Sequence, residues 1–220
     1  MPNETQSIPS ILEAATRFTD RTDDRQIDRP IASDVINALL HQEQATRKTR
    51  SQFLETQLMG RWRLHFVTLG KVRLGSKRLR GFFLPPFLPA AISFQPKQIS
   101  PDQTPDQIPD QIPDQIQAPL EVTNQVTIGL IQLTFTGPAR FESKKNLLGF
   151  DFTHLVVKAF GQPIYQGPVP SPRANQNFQT ISIGRLPFFA FFAVTDSFIA
   201  ARGRGGGLAI WVKDSIERPS

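Results

Sequence analysis

The sequence predicts a mainly β fold, a curled antiparallel sheet or barrel with a helical N-terminal extension. Two observations carry that expectation. The spacing of apolar residues changes at Gly60, from near 3.6 to 2. Beyond it, short apolar runs are punctuated by Gly and Pro, and no strand alternates with a long helix. The 220 residues suffice for one domain with its own core. The expected division is a helical extension over residues 1–54 and a β-barrel domain over 55–215, with a Pro-Asp-Gln repeat loop at 101–117.

Residues 10–18, SILEAATRF, read as the first helix. Ser10 and Glu13 have capping-box spacing, and Ile11, Leu12, Ala15 and Phe18 fall near one face. After the polar segment TDRTDDRQIDRP, a second helix starts behind Pro30 with Ile31, Val35, Ala38 and Leu39 on one side. A short third helix spans 52–59, where Phe53, Leu54 and Leu58 recur at helical spacing. Arg47, Lys48 and Arg50 lie between them and read as a solvated or a binding surface.

In RWRLHFVTL, Trp62, Leu64 and Phe66 alternate with Arg61, Arg63, His65 and Val67. The rings therefore point one way and the arginines the other. Weaker strands are expected at 78–84 and 91–96, around FLPPFLP. Further strands are expected at 125–135, 139–143, 147–159, 188–194, 197–201 and 207–213. Residues 101–116 are four copies of a tetrad, PDQT once and PDQI three times. Repeated prolines remove amide donors and disfavour both helix and central strand. A mobile or extended loop is expected there, with a recognition segment as the alternative.

Composition narrows the chemistry. The chain has no Cys, which excludes a disulfide scaffold, a thiolate zinc site and a cysteine nucleophile. Its three histidines, His41, His65 and His154, are scattered, and no metal site or cofactor is expected. Net charge is +6, and residues 61–100 hold eight bases and no acid. Such a field attracts phosphate, anionic lipid head groups or an acidic protein partner. The acidic first 30 residues do not suit a transit peptide, and no spanning segment stands out.

No catalytic residue is assigned. Asp151 and His154 are three apart in an alternating run, so they face opposite sides and form no local dyad. Asp151 reads as a surface or turn carboxylate, and His154 as structural or solvent-facing. RGRGGG at 202–207 lacks the phosphate-loop pattern and leads into LAIWV, so its glycines make a tight hairpin. Arg202 is expected to pair with Asp196, with surface charge or ligand contact as alternatives. Nucleic-acid binding is disfavoured, because stacking bases requires rings and arginines on one surface.

The rings suggest another role. Phe188, Phe189, Phe191 and Phe192 cluster with Phe198 and Trp211 in the later strands. Ordinary core is the plain reading. A closed sheet with so many rings can also enclose a flat or long apolar molecule, since burial yields roughly 25 cal/mol per Å². Trp62, Leu64, Phe66, Phe191 and Trp211 are the expected interior lining. Phe82, Phe83 and Phe87, with Arg61, Arg63, Arg78 and Arg80, are the expected contacts to an anionic membrane or another anion.

Two segments then carry a family resemblance. LMGRWRLHFVT at 58–68 supplies Leu58, Gly60, Trp62, Leu64 and Phe66. TDSFIAARGRGGGLAIWVKD at 195–214 supplies Asp196, Phe198, Arg202, Gly203 and Gly206. Together they resemble the plastid lipid-associated proteins, also called fibrillins or plastoglobulins, in a cyanobacterial-type version. ARF at 139–141 and PVPSP at 168–172 are also similar. Ile199 departs from the pattern where the family often has Arg, as do Ala200 and Ala201.

The resemblance implies a lipocalin-like barrel and non-enzymatic binding of an apolar metabolite or lipid: a carotenoid, an isoprenoid quinone or an acyl lipid. It implies a cytoplasmic or thylakoid-associated peripheral protein of a cyanobacterium, acting in photoprotection or in lipid and pigment homeostasis. Asp196, Arg202, Gly203 and Gly206 would be structural. Two alternatives stand beside it. One is a membrane-associated accessory protein that meets a protein partner through its surface. The other is a lipocalin-like enzyme or chromophore-attachment factor.

Overall fold

A computed structural model describes residues 8–16, 30–76, 79–85, 87–97, 120–170 and 176–214. The repeat expected as a loop at 101–117, and Arg78, lie outside the described residues. The described strands are β1 Gly60–Thr68, β2 Gly81–Phe83, β3 Ala90–Pro96, β4 Leu120–Ile128, β5 Ile131–Glu142, β6 Leu147–Phe150, β7 His154–Ala159, β8 Gln162–Pro168, β9 Phe188–Val194, β10 Phe198–Gly203 and β11 Leu208–Lys213. All eleven join one sheet, and every pairing is antiparallel.

Eight of these strands close a barrel in the order β4-β3-β1-β11-β10-β9-β6-β5, with β5 returning to β4. Closure satisfies the ladder hydrogen bonds that an open edge would leave to solvent. β5 does more than close the ring. Its residues 139–142 pair with β6, whereas residues 131–136 pair with β7 on the same edge, and β8 follows β7. The far halves of β4 and β5, with β7 and β8, thus form a wing that continues the barrel wall past its rim.

Gly137 marks the branch point. A Cβ at this position would stand 1.9 Å from the Asp151 carbonyl oxygen, so the strand accepts only Gly there. Backbone bonds from Asp151 N–H to Pro138 O (3.1 Å) and from Thr153 N–H to Thr136 O (2.9 Å) carry the ladder across the gap. The single strand expected at 147–159 is therefore two strands. The one expected at 125–135 is also two, because a turn at 129–130 with Gly129 at φ +59° makes a hairpin. Asp151 is buried, not a surface carboxylate.

Two apolar cores lie on opposite sides of the wall. The inner core holds Trp62, Phe94, Leu120, Val122, Leu148, Phe191, Ile199 and Trp211. The outer core lies beneath the helices α1 Ile8–Thr16 and α2 Ala32–Thr49. α2 buries Val35, Ile36, Ala38, Leu39 and Leu40, the i, i+3, i+4 stripe of an amphipathic helix. Each buried Val, Ile or Leu among them contributes about 1.5–3 kcal/mol relative to exposure. Thr46 Oγ1 on α2 also donates to the Phe192 carbonyl at 2.7 Å. The third helix expected at 52–59 is a 3-10 turn, Glu55–Leu58, which buries Leu58 and leaves Leu54 exposed.

Bulges decide which residues enter which core. β1 and β11 pair Leu64 with Trp211 and then Phe66 with Ile210, so His65 is the extra residue. One extra residue inverts the side-chain parity. Trp62, Leu64 and Val67 consequently belong to the inner core, and Phe66 to the outer one, against α2. Phe66 is thus buried but does not line the interior, which corrects the simple alternation. β9 has the same device: Ala200 pairs with Ala193 and Ala201 with Phe191, leaving Phe192 to the outer core.

Candidate functional site

The inner core is packed with rings, and half-buried apolar side chains flank it at the base (Phe53, Met59 and Val194) as well as towards the wing. Trp62 is fully buried, and its indole N–H donates to the Leu58 carbonyl at 2.7 Å. Phe191 stands 6.4 Å from both Phe94 and Phe141, edge to face, so rings occupy the middle of the barrel. At the other end, where β1 finishes and β9 begins, Leu64, Val67, Phe152 and Phe189 are only half-buried. This end is the mouth.

A ladder of rings runs through the mouth. Trp211 meets Phe189 at 5.2 Å between centroids, and Phe189 stacks on Phe150 at 5.1 Å with 27° between planes. Phe150 meets Phe152 at 5.1 Å, and Phe152 meets Phe135 at 5.6 Å. Trp211 and Phe150 are buried, whereas Phe189, Phe152 and Phe135 present part of each ring to solvent. The ladder therefore links the packed interior to the face of the wing.

Register shows what that face is. Val126 lies opposite Leu133, and Leu133 opposite Val157; Phe135 lies opposite Leu155. Val157 lies opposite Tyr165, and Ile128 opposite Ile131. The alternate positions are Gln125, Thr127, Gln132, Thr134, Val156 and Lys158. One face of the wing is mostly apolar, with Asn124 opposite Phe135 as its polar member, the other is mostly polar, and the apolar face continues the barrel interior.

The apolar face ends in exposed tips. Ile128, Leu130, Ile131, Ile164 and Tyr165 are exposed, and Phe160 is 78% exposed. The two hairpin turns are tied by Phe160 N–H donating to the Leu130 carbonyl at 3.0 Å. The prolyl loop joins them, since Thr127 N–H donates to the Pro89 carbonyl at 2.9 Å and Phe87 is 79% exposed. Sequence periodicity did not single out these hairpin tips. The available signal was two short alternating runs, one on each side of Phe160-Gly161, a residue pair that turns with positive φ at both positions.

The expected rim is brought together only in part. Phe87 and Phe82 are exposed. Phe83 instead packs in the outer core, 4.9 Å from Phe66 and 5.5 Å from His65. Arg80 is exposed at the mouth end, where its carbonyl accepts from Leu69 N–H. Arg61 lies at the base and pairs with Asp214 at 2.9 Å. Arg63 is half-buried on the outer wall, opposite Val212. Neither arginine belongs to the mouth.

An excess of bases collects at the mouth end, while the base end is balanced. Strand direction puts Lys71, Arg73, Arg80, Arg185 and Arg204 at the mouth end. It puts Glu55, Glu121, Glu142, Asp196 and Asp214 at the base end, together with Arg61, Lys97, Lys144, Lys145 and Lys213. Asp196 is exposed in the turn between β9 and β10 and does not pair with Arg202 as expected. Arg202 instead grips Glu43 of α2 with two bonds of 2.6 and 2.7 Å. It also donates to the carbonyls of Gly206, at 2.5 Å, and Val72, at 3.1 Å. That fork pins α2 to the glycine hairpin, in which Gly203 N–H donates to the Gly207 carbonyl and Gly206 takes φ +88°. The alternation of strands gave no view of Glu43, which is 159 residues away.

Arg140 serves the wall rather than a site: its guanidinium donates to the carbonyls of Gln179 and Ile181 and holds that loop on the barrel. Among the described residues, no group of His, Asp and Glu could hold a metal ion, and no helix is long and apolar enough to cross a membrane. Comparison with protein-family models, with curated proteins and with solved structures finds no match for this chain.

Proposed function

We propose that the protein is a non-enzymatic, lipocalin-like binder of a flat or elongated apolar molecule at lipid assemblies. The observation that carries this reading is the ring ladder from Trp211 to Phe135, buried at one end and half-open at the other. A conjugated or isoprenoid chain laid on Phe189, Phe152 and Phe135 would cover ring faces that water now wets, at roughly 25 cal/mol per Å². It needs no charged partner, and the apolar wing face supplies none. The resemblance of residues 58–68 and 195–214 to the fibrillins points to the same ligands: carotenoids, isoprenoid quinones or acyl lipids. The placement it implies is beside thylakoid-type membranes.

The ring-packed interior moves the binding position from the barrel centre to the mouth. It also favours a second reading, an accessory protein that acts through its surface. Solvent extraction of the protein purified from its native host, followed by mass spectrometry, separates the two. Ligand binding predicts an apolar species enriched near one per chain over a control protein, and depleted from a Phe152→Asp variant. No enrichment would leave the surface-acting reading.

A further inference from the structure

The exposed tips carry an inference that rests on the proposed binding role and names the surface the mouth faces. Three separate segments converge there: the turn with Leu130, the turn with Phe160, and the prolyl loop with Phe87. Soluble surfaces scatter large apolar residues singly; here they collect at one end, joined by backbone hydrogen bonds. The turns at these tips are short and joined by the Phe160 N–H to Leu130 carbonyl bond. Strands rise about 3.3 Å per residue, so the turns at 128–131 and 159–162 project one to two residues, about 3–7 Å, past Thr127, Gln132 and Lys158, with Gln162 the one polar side chain on them. The boundary between head groups and acyl chains is entered to about 5–10 Å, a range the ends of these turns reach.

We propose that these tips insert into the interfacial layer of an anionic lipid membrane, with the mouth facing the acyl chains. Charge selects that occupant. Lys71, Arg73, Arg80, Arg185 and Arg204 lie at the mouth end, whereas at the far end Glu55, Glu121, Glu142, Asp196 and Asp214 are balanced by Arg61, Lys97, Lys144, Lys145 and Lys213. Anionic head groups attract the first set while leaving the second in water. A second copy meeting tip to tip would bring two basic ends together, which like charge opposes. In this orientation an apolar molecule moves between the acyl layer and the ring ladder without crossing water.

The test uses the full chain and vesicles of phosphatidylglycerol and phosphatidylcholine. Wild-type protein is expected to sediment with them, and to do so less with phosphatidylcholine alone. The double variant Ile131→Ser, Phe160→Ser should lose vesicle affinity by about tenfold or more, with thermal unfolding unchanged. Because the chain has no Cys, a polarity-sensitive dye can be placed at one position. Vesicles should shift its emission to the blue on Phe160→Cys and leave it unmoved on Asp196→Cys. Equal sedimentation of the tip variant, or no shift at position 160, would overturn the proposal. So would a dimer that the tip variant disperses in the absence of lipid, which would assign the face to a second copy. The two readings fail separately. A protein that keeps its apolar molecule but ignores vesicles overturns the docking alone, and one that binds vesicles through its tips but carries no such molecule overturns the ligand alone.

Discussion

At the base of the barrel, Trp62, Phe94, Leu120 and Leu148 occupy alternate strand positions and are almost fully buried. In the wing, Ile128, Ile131 and Tyr165 alternate in the same way and stand in solvent. One strand, β5, passes through both regions. Period two therefore defines a face, and whether that face becomes core depends on whether the sheet curls back over it. Gly137 is where the two fates part, because the crossing of residues 151–153 behind it diverts β7 and β8 away from the ring. Apolar surface that the described residues leave uncovered at one end is the kind that marks contact sites.

The difference between base and wing can be broken by substitution. Trp62→Ala should cost about 3–5 kcal/mol, because it leaves a cavity in the packed interior. For a chain of this size that lowers Tm by about 10 °C. Tyr165→Ala in the wing should stay within about 0.5 kcal/mol. Thermal unfolding of the two variants checks this, and equal losses would mean the wing face is covered in solution.

A smaller effect sharpens the account of the outer wall. Glu43→Gln should cost about 1–3 kcal/mol, since it leaves the half-buried Arg202 guanidinium without its carboxylate. Asp196→Asn should be near neutral, because that carboxylate is exposed. Chemical denaturation would reverse the assignment if Asp196→Asn were the more damaging.

The smallest effect is a pH dependence at the base. Burial pushes the Glu55 carboxyl above its ordinary value. The folded chain then holds that proton more tightly than the unfolded one. Its contribution to stability is full below the ordinary carboxylate value of 4.5 and is lost as pH rises through the raised one. Urea titrations at successive pH values should show this decline in the wild type and a flatter course in Glu55→Gln.

Much of the wall was legible from residue types. FFAFFAV and LAIWV have the apolar content of covered strands, and they form β9 and β11. The stripe of Val35, Ala38 and Leu39 behind Pro30 forms α2. Three things were not legible, each for a physical reason. The bulge at His65 sends Phe66 to the other face, and a bulge leaves no mark in the apolar pattern. The Glu43–Arg202 pair joins a helix to a distant strand, and pairing at that separation is set by packing. The tips of the wing use the same residues as a core, so only the folded sheet shows that nothing in the described chain covers them.

The ring ladder is the centre of the account, and one measurement reads it directly. The chain has two tryptophans, so Trp62→Phe leaves Trp211, at the inner end of the ladder, as the sole indole emitter. Titration with a conjugated polyene ester that absorbs indole emission should quench it saturably, near one per chain, and adding Phe152→Asp should abolish the saturation. Quenching that rises without limit, or that ignores the aspartate at the mouth, would contradict binding at the ladder.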